Sequence, residues 1–379
     1  MNHERSLKIA TFNIWHGLAS RGIVRFREFE SASRREERFQ ATLRLLFDLD
    51  PDILLLQELN PVSVQGREFT RVLGGSFQGR VDQSGLKFFS HGWPLNLATG
   101  LGIVVRGSVR PLHGDCATAK MPSFVRLSGS LGFSGEKASF HLDEQRYAQL
   151  ESVEHAGLGR LLIVNMHLHH GFEQFPELLA LLEEGVRAGR ISRADFDELR
   201  KSLDHAQSRR LGEIDRLLET VHRFEKEHDG ILVGGDLNST SDGAAYHALA
   251  SDGYEDLATS AVGRKSNADG PTWDPLTNLE NHRIQQEEGF EFPLPDFGNP
   301  EFTKIYRAFD ALPRRIDFLL AKGSLSPGGA KMIRPELKSG EVSAPVRLSN
   351  VERFGFPRTP NALAPSDHYG LIARYGNSK

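Results

Sequence analysis

Short apolar runs recur along the chain and constrain its fold more than any other feature. Within each run, apolar residues stand at successive positions rather than at every second one, so we expect strands that are covered on both faces. The chain therefore predicts buried sheets between other layers of structure. The runs are LKIATFNI (7–14), DILLLQEL (52–59), LGIVVR (101–106), RLLIVNMHLH (160–169), GILVGGDL (230–237), RIDFLLA (315–321) and HYGLIARY (368–375).

Helical periodicity separates some of these runs. Residues 35–50 repeat apolar side chains every three or four positions and stop before Pro51, which predicts a helix there. A similar pattern covers residues 176–228, where Ser192 and Asp195 resemble a capping box. The alternation predicts one α/β domain over residues 1–379, with a helical insertion at 171–206. Residues 274–313 mix Asn, Pro, Gly and acids without a period, which predicts a long irregular loop.

Composition narrows the choice of partners. The chain has 379 residues, 39% hydrophobic, and a net charge of −4 at pH 7, so broad attraction to nucleic acid or anionic membranes is not expected. Cys116 is the only cysteine, which excludes an intramolecular disulfide and agrees with a reducing compartment. The N-terminal residues lack a secretory pattern, and no stretch approaches the roughly 20 apolar residues of a transmembrane helix. We therefore expect a cytoplasmic protein, and the sequence does not indicate its oligomeric state.

Polar side chains follow the apolar runs at or near their ends. Taken singly, each has a structural explanation; Asp317, for example, could pair with Arg314 or Arg315 nearby. Taken together, they predict a ligand site, since ligands bind in the crevice outside strand ends of open α/β sheets. The set comprises Asn13, Glu58, His167, Asp236, Asn238, Asp317, Asp367 and His368.

The residue types in this set point to one kind of chemistry. Carboxylate and amide oxygens are hard ligands that suit Mg²⁺. Histidines beside such a site can hold a phosphoryl oxygen or transfer protons near neutral pH. An acid that positions water, a metal and imidazoles together favour hydrolysis of a phosphoester.

The order of the motifs resembles the endonuclease/exonuclease/phosphatase family. GDLN followed later by SDH is specific in combination, and the matching segments frame nearly the whole chain. The resemblance implies a four-layer αββα sandwich of two packed, mostly antiparallel sheets flanked by helices. The matching segments are IATFNIW, DILLLQEL, NMHLHHG, GGDLNS, TW at 272–273, RRIDFLL and SDHYGL.

The family resemblance also implies a role for each acid and amide. Glu58 would be the main ligand of Mg²⁺, for which Mn²⁺ can substitute, and Asn13 and Asp367 would lie at the metal or its waters. Asp236 would orient or deprotonate the attacking water. Asn238 would hold the nucleophile or the phosphate. The identity of the general base and the number of metals stay open.

The aromatic residues receive roles from the same resemblance. His167 and His368 would contact the phosphoryl oxygens, with Asp317 fixing the orientation of His368. Trp273 would contribute to substrate binding, together with Asn13, His167, Asn238 and His368.

Other readings of the motifs stay open at the level of sequence. His167 and His169 lie two apart, a spacing usable for zinc, although the following residues do not supply further ligands. A non-catalytic binding module on the same fold is a second alternative. Among catalytic functions, a phosphodiesterase acting on a small or lipid-linked diester is favoured over a DNA or RNA nuclease, because the net charge is negative. A basic groove of Arg34, Arg35, Arg38, Arg209 and Arg210 would favour the nuclease instead.

Overall fold

A computed structural model describes most of the chain, including all of the polar residues singled out above. The ranges described are 6–16, 18–21, 25–28, 32–88, 91–107, 109–112, 121–129, 132–133, 135, 138–141, 145–170, 176–260, 269–278, 300–310, 312–327, 346–355 and 364–377.

Helices separate some of the strands, as the helical patterns predict. The strands are β1 (Leu7–Asn13), β2 (Leu18–Arg21), β3 (Arg25–Glu28), β4 (Ile53–Leu59), β5 (Ser76–Phe88), β6 (His91–Val105), β7 (Val109–Pro111), β8 (Phe124–Ser128), β9 (Gly132–Phe133), β10 (Ala138–His141), β11 (Arg146–His155), β12 (Gly159–His167), β13 (Gly230–Asp236), β14 (Glu255–Asp256), β15 (Asp317–Gly323), β16 (Val346–Phe354) and β17 (Gly370–Asn377). The helices are α1 (Ala32–Leu49), α2 (Val62–Leu73), α3 (Pro176–Arg187), α4 (Arg193–His222), α5 (Ala244–Ser251), α6 (Leu257–Ser260) and α7 (Pro300–Asp310).

Two large sheets form the centre of the fold. One has eight strands in the order β16-β17-β1-β4-β6-β5-β10-β9, and the other follows β14-β15-β13-β12-β11-β7 with β8 paired to β11. Strands β1 and β4 are parallel, as are β12 and β13, because α1 and α4 respectively provide the crossover between them. The other strand pairs of the two sheets are antiparallel, for example β1 with β17 and β13 with β15. The predicted sandwich of mostly antiparallel sheets is confirmed.

Apolar side chains fill the space between the sheets and the space beneath the helices. The core between the sheets contains Ile9 and Leu55 from one sheet and Ile163, Leu232 and Leu319 from the other. Helices α1 and α2 cover the first sheet through a cluster that contains Leu46 and Phe69. Helices α4 and α5 cover the second sheet through Ile214, Leu217 and Leu249. Both faces of each sheet are thus buried, which explains the continuously apolar runs.

A separate apolar cluster holds three helical segments together: α3, residues 193–206 of α4, and α7. We call these three segments the helical arm. Its buried side chains are Leu178, Leu182, Ile191, Phe196, Leu199, Leu203, Phe302 and Phe309. Ser192 caps α4 as its spacing indicates, with its Oγ accepting from the Asp195 N–H at 3.1 Å. Helix α4 has 30 residues and continues from the arm into the core, well beyond residue 206, where the predicted insertion 171–206 ends.

The segment 274–313 differs from the predicted irregular loop in its last part. Helix α7 occupies 300–310, and its side chains Phe302 and Phe309 are buried in the helical arm. The apolar spacing of Phe302, Ile305 and Phe309 is helical, but the surrounding Pro, Gly and Asn residues obscure it. Residues 279–299 and 171–175 lie outside the described residues. Within the described part of the chain, none of the helices combines the length and the apolar composition that crossing a bilayer requires.

Candidate active site

Strand register brings the polar set to one edge of the sandwich. His167 ends β12 and lies opposite Asp236, the last residue of β13, while Asp236 lies opposite Asp317, the first residue of β15. On the other sheet, Asn13 ends β1 beside Gln57 of β4. The four remaining members join them there: Glu58, Asn238, Asp367 and His368. The exposure of Asn13, His167, Asp236, Asp317, Asp367 and His368 is 5% or less.

The GGDLN segment leaves β13 by a path that only glycine permits. Gly235 has φ 136°, and a Cβ atom there would lie 1.9 Å from the carbonyl oxygen of Met166. Two residues later, Asn238 adopts a left-handed φ of 46°, stabilised by a hydrogen bond of 2.7 Å from its N–H to Asp236 Oδ1. This turn keeps both polar side chains at the same edge of the sheet.

A β-bulge turns Glu58 into the site. Leu56 pairs with Gly102 and Leu59 with Gly100, so two residues of β4 oppose one residue of β6. Glu58 has φ 60°, a conformation that non-glycine residues rarely adopt without support from their surroundings.

The opposite sheet supplies support for this bulge. The Asn165 side-chain N–H groups donate to the carbonyl oxygens of Leu56 (2.9 Å) and Gly102 (3.0 Å). The Gln57 amide in turn donates to Asn165 Oδ1 at 2.7 Å and to Thr11 Oγ1 at 3.1 Å. These fully buried bonds tie the strand that carries His167 to the strand that carries Glu58.

Glu58 is held as an anion by its neighbours. Asn13 Nδ2 donates to Glu58 Oε1 at 3.0 Å and to Asp236 Oδ2 at 3.1 Å, and the His16 N–H donates to Glu58 Oε2 at 3.0 Å. Burial by itself would raise the pKa of Glu58, but its electrostatic interaction with the neighbouring His16 and His167 rings and these hydrogen bonds hold it well below its usual range. Asn13 Oδ1 accepts the Trp15 N–H at 3.0 Å, so Asn13 faces the two carboxylates with its N–H groups.

Two further carboxyl groups are buried at the site. Burial raises the pKa of Asp236 to about 7, with the charge of Asp317 adding to the rise. Burial likewise raises the pKa of Asp367 to about 7, and the negative charge of Glu58 contributes. Carboxylates crowded in this way repel one another, and a bound divalent cation would relieve that repulsion. The oxygen-rich set at Glu58 and Asp367 therefore fits a hard cation such as Mg²⁺.

A second group of possible ligand atoms lies close by. Asp236, Asp317 and His368 each place one such atom within 4.8 Å of the others. His368 Nδ1, however, lies 2.8 Å from Asp317 Oδ2. Burial disfavours the charged ring, but the charges of Asp317 and Asp367 outweigh burial and hold the pKa of His368 well above its usual value. A protonated imidazole offers no lone pair, so this group fits a metal less well than Glu58 and Asp367 do.

The two site histidines have opposite electrostatic environments. His167 Nε2 lies 3.6 Å from Asp236 Oδ2, and His368 Nε2 lies 4.0 Å from the same oxygen. Burial and the positive charge of Arg146 hold the pKa of His167 well below its usual value. His167 is therefore neutral where His368 is cationic, and both rings flank Asp236.

The partner of Asp317 is His368 rather than an arginine nearby in sequence. Arg315 pairs with Asp256 instead, and the guanidinium of Arg314 lies 4.9 Å from the Phe309 ring centroid. The ring of Trp273 meets that of His368 edge-on at 5.4 Å between centroids. Trp273 thus packs against a histidine of the site. The family resemblance implies that Trp273 binds substrate, and that role stays a prediction.

Several supporting residues escape the sequence argument. Ser366 Oγ donates to the Asn13 carbonyl oxygen at 2.7 Å and accepts the His368 N–H at 3.2 Å, and Thr272 Oγ1 accepts the Asp317 N–H at 3.0 Å. His16 acts on Glu58 through its backbone N–H, and Arg146 acts on His167 through its charge. In sequence, Ser366 directly precedes the Asp-His pair and Thr272 directly precedes Trp273, so these neighbours could have indicated both supporting residues. His16 stands three positions after Asn13, whereas Arg146 carries no such signal, since only the folded chain brings it close.

Comparison with known proteins agrees with this geometry. Residues 10–368 match the Endonuclease/Exonuclease/phosphatase family. The chain belongs to this family. Its members are phosphoester hydrolases, and the protein is accordingly an enzyme of that class. No curated protein is significantly similar to the chain in sequence.

Solved structures of the family share the fold at low sequence identity. The endonuclease/exonuclease/phosphatase from Bacteroides vulgatus is 14% identical, with a TM-score of 0.53 over 98% of this chain and 99% of that one. The Bacteroides thetaiotaomicron mannosyl-6-phosphatase is 13% identical, with a TM-score of 0.52 over 97% and 99% of the two chains. Truncated TDP2 from Caenorhabditis elegans is 15% identical, with a TM-score of 0.50 over 98% of each. At such identities the likeness concerns the fold alone.

Proposed function

We propose that this enzyme is a Mg²⁺-dependent phosphodiesterase that acts on a small or lipid-linked phosphodiester. One observation carries the proposal: carboxylates, a neutral imidazole and a carboxylate-paired imidazolium converge at one buried edge of the sandwich. A non-catalytic module of this fold would have no need to hold Glu58, Asp236 and His368 together. A zinc site at His167 and His169 is less favoured, because the groups around His167 are carboxylates.

Glu58 and Asp367 would hold the cation, and Asn13 would orient Glu58 through its N–H groups. When bound, Mg²⁺ supplies Lewis acidity toward a phosphoryl oxygen. Asn13 also bonds Asp236, so one side chain fixes the relative position of the metal ligand and the proposed water-orienting acid. Mn²⁺, with similar oxygen preference, is expected to substitute.

Each of the remaining residues has a separate role in hydrolysis. Asp236 orients the attacking water and accepts its proton, while Asn238 holds the nucleophile or the phosphate through its amide. Neutral His167 hydrogen-bonds a phosphoryl oxygen. The His368 imidazolium, oriented by Asp317, stabilises the negative charge that develops on the phosphoryl group in the transition state.

Two of the five arginines that would form a nucleic-acid groove, Arg38 and Arg210, are buried within the fold, whereas Arg34, Arg35 and Arg209 are partly exposed. Arg38 is buried and donates to the carbonyl oxygens of Ile14 (2.6 Å) and Trp15 (2.9 Å). Arg210 is buried and donates to the His169 carbonyl oxygen at 3.1 Å. Since these two charges are not available to a polyanion and the net charge of the chain is −4, a small diester is favoured over long duplex DNA.

A substrate panel tests this proposal. Bis-p-nitrophenyl phosphate, sphingomyelin, inositol phosphates, single-stranded RNA and duplex DNA would be offered with Mg²⁺ and with a chelator. We expect turnover of a small or lipid-linked diester that the chelator abolishes. Efficient, salt-sensitive cleavage of plasmid DNA would favour the nuclease instead, and turnover restored by zinc alone would favour a zinc hydrolase.

A further inference from the structure

Two charged residues of α4, Arg210 and Glu213, are buried where the catalytic strand β12 ends. Their exposure is 1% and 0%, respectively. Buried charges are costly, and apolar residues of similar volume often stabilise a protein as well or better. The function proposed above assigns neither residue a role in the reaction.

Both residues bond the backbone of His169, one at each of the two peptide units that flank its Cα atom. The His169 N–H donates to Glu213 Oε2 at 2.8 Å, while Arg210 Nη1 donates to the His169 carbonyl oxygen at 3.1 Å. The other carboxylate oxygen, Glu213 Oε1, accepts the Ser128 hydroxyl at 2.6 Å. One residue is therefore held on both sides, two positions beyond His167.

Hydrogen bonds connect the clamped segment to Asp236 and Asn238. The Leu168 N–H donates to the Asp236 carbonyl oxygen at 3.0 Å, and Asn238 Nδ2 donates to the Leu168 carbonyl oxygen at 3.0 Å. His170, which is exposed, places Nδ1 at 3.2 Å from Asn238 Oδ1.

These contacts fix the orientation of the Asn238 amide. The Leu168 carbonyl can only accept, so Nδ2 must face it, and Oδ1 then faces His170. His170 must consequently carry its proton on Nδ1. The second N–H of Asn238 Nδ2 is then available to the site. An N–H donor is what Asn238 needs in order to hold an oxygen of the nucleophile or of the phosphate.

We propose that Arg210 and Glu213 are positioning residues that clamp the backbone on both sides of His169 and thereby hold His170 against the Asn238 amide. The inference rests on the proposed function of Asn238. It also gives the helical arm a connection to the chemistry, because α4 carries both the arm residues Phe196, Leu199 and Leu203 and this clamp.

Hydrogen exchange at the His169 amide tests the clamp without any need for turnover. Glu213→Met leaves the His169 N–H without its acceptor, so exchange should quicken at least tenfold. Glu213→Gln can accept from His169 and donate to the Ser128 hydroxyl, so its exchange should stay near that of the native protein. Equal exchange in all three proteins would overturn the clamp, whatever the enzyme hydrolyses.

A double-mutant cycle tests whether the clamp acts through His170. With bis-p-nitrophenyl phosphate and Mg²⁺, we expect Glu213→Met and His170→Ala each to lower kcat about 10- to 100-fold, the cost of a small misplacement of a reacting group. The double variant should be no worse than the worse single one, and Glu213→Gln should restore most of the rate. Additive losses would make the role structural and sink the inference.

One control variant and the His170→Ala variant on its own complete the test. Glu219→Met, on an exposed part of the same helix, is the matched control and should leave exchange and kcat unchanged. His170 is exposed, so His170→Ala should fold even if Glu213→Met does not. A native kcat for His170→Ala would by itself overturn the inference, whereas a lower kcat with an unchanged free energy of unfolding would support it.

Discussion

Nδ1 of His368 lies 2.8 Å from Oδ2 of Asp317, although the two residues are 51 positions apart in the chain. Both side chains are buried. Because the carboxylate stabilises the charged ring, its pKa is well above the usual value in spite of burial. Asp317 therefore fixes the positively charged ring of His368 beside Asp236.

Replacing Asp317 with Asn keeps the volume and removes the charge. The pKa of His368 should then fall, so the alkaline limb of the pH–rate profile should move to lower pH. We expect kcat to drop on the order of 100-fold, with little change in melting temperature. The variant Asp317→Asn/His368→Ala should be little worse than its worse parent, since the pair acts as a unit. Preserved kcat with a large loss of stability would make Asp317 a structural residue.

Removing the Asn165 side chain should disturb Glu58 from the opposite sheet. Asn165→Ala leaves the carbonyl oxygens of Leu56 and Gly102 without their donors, which should cost about 2 kcal/mol or more of unfolding free energy. Because the bulge then relaxes, apparent Mg²⁺ affinity should weaken as well. Urea unfolding and calorimetric Mg²⁺ titration measure the two effects. Asn350→Ala, outside the site, is the control, and an Mg²⁺ affinity equal in both variants would contradict this support of Glu58.

Glu151 should make stability depend on pH. Burial raises its pKa from 4.5 to about 8 in the folded protein. Since the unfolded chain releases this proton first, the stabilising contribution is complete below pH 4.5 and is lost as pH rises through 8. Glu151→Gln should match the native protein in unfolding free energy near pH 4 and exceed it by on the order of 1 kcal/mol or more at pH 8.5. Glu154→Gln, at an exposed position of the same strand, should show no such crossover.

Gly235 should tolerate no side chain. An added Cβ atom would lie 1.9 Å from backbone at Met166, and φ is 136°. We expect Gly235→Ala to lose about 3 kcal/mol or more of unfolding free energy, measured by urea titration. The matched control is Gly212→Ala, where open space surrounds the new methyl group and helix α4 should gain about 1 kcal/mol. A Gly235→Ala protein of native stability would show that the turn after β13 is not required.

Sequence reasoning predicts the strands and the polar residues at their ends because both are local properties of the chain. Glu58 follows an apolar run, and the register of a parallel or antiparallel pair then brings it near its partners. The bulge at Glu58 could not be predicted, since its support comes from Asn165 on the other sheet. The influence of the Arg146 charge on His167 is equally non-local. Helix α7 was not predicted, because its three apolar positions can be recognised as one face of a helix only once the rest of the helical arm packs against them.

The dependence of turnover on Mg²⁺ in Glu58→Gln tests the central claim most directly. Gln keeps the shape of the side chain and its place in the bulge but lacks the charge that would hold the cation. Hydrolysis of bis-p-nitrophenyl phosphate would be measured against Mg²⁺ concentration for the native enzyme, for Glu58→Gln, and for Glu68→Gln, whose carboxylate pairs with Arg71 on α2. We predict that Glu58→Gln loses turnover by orders of magnitude and requires far more Mg²⁺, while Glu68→Gln behaves as native. Native turnover by Glu58→Gln at low Mg²⁺ would contradict the account.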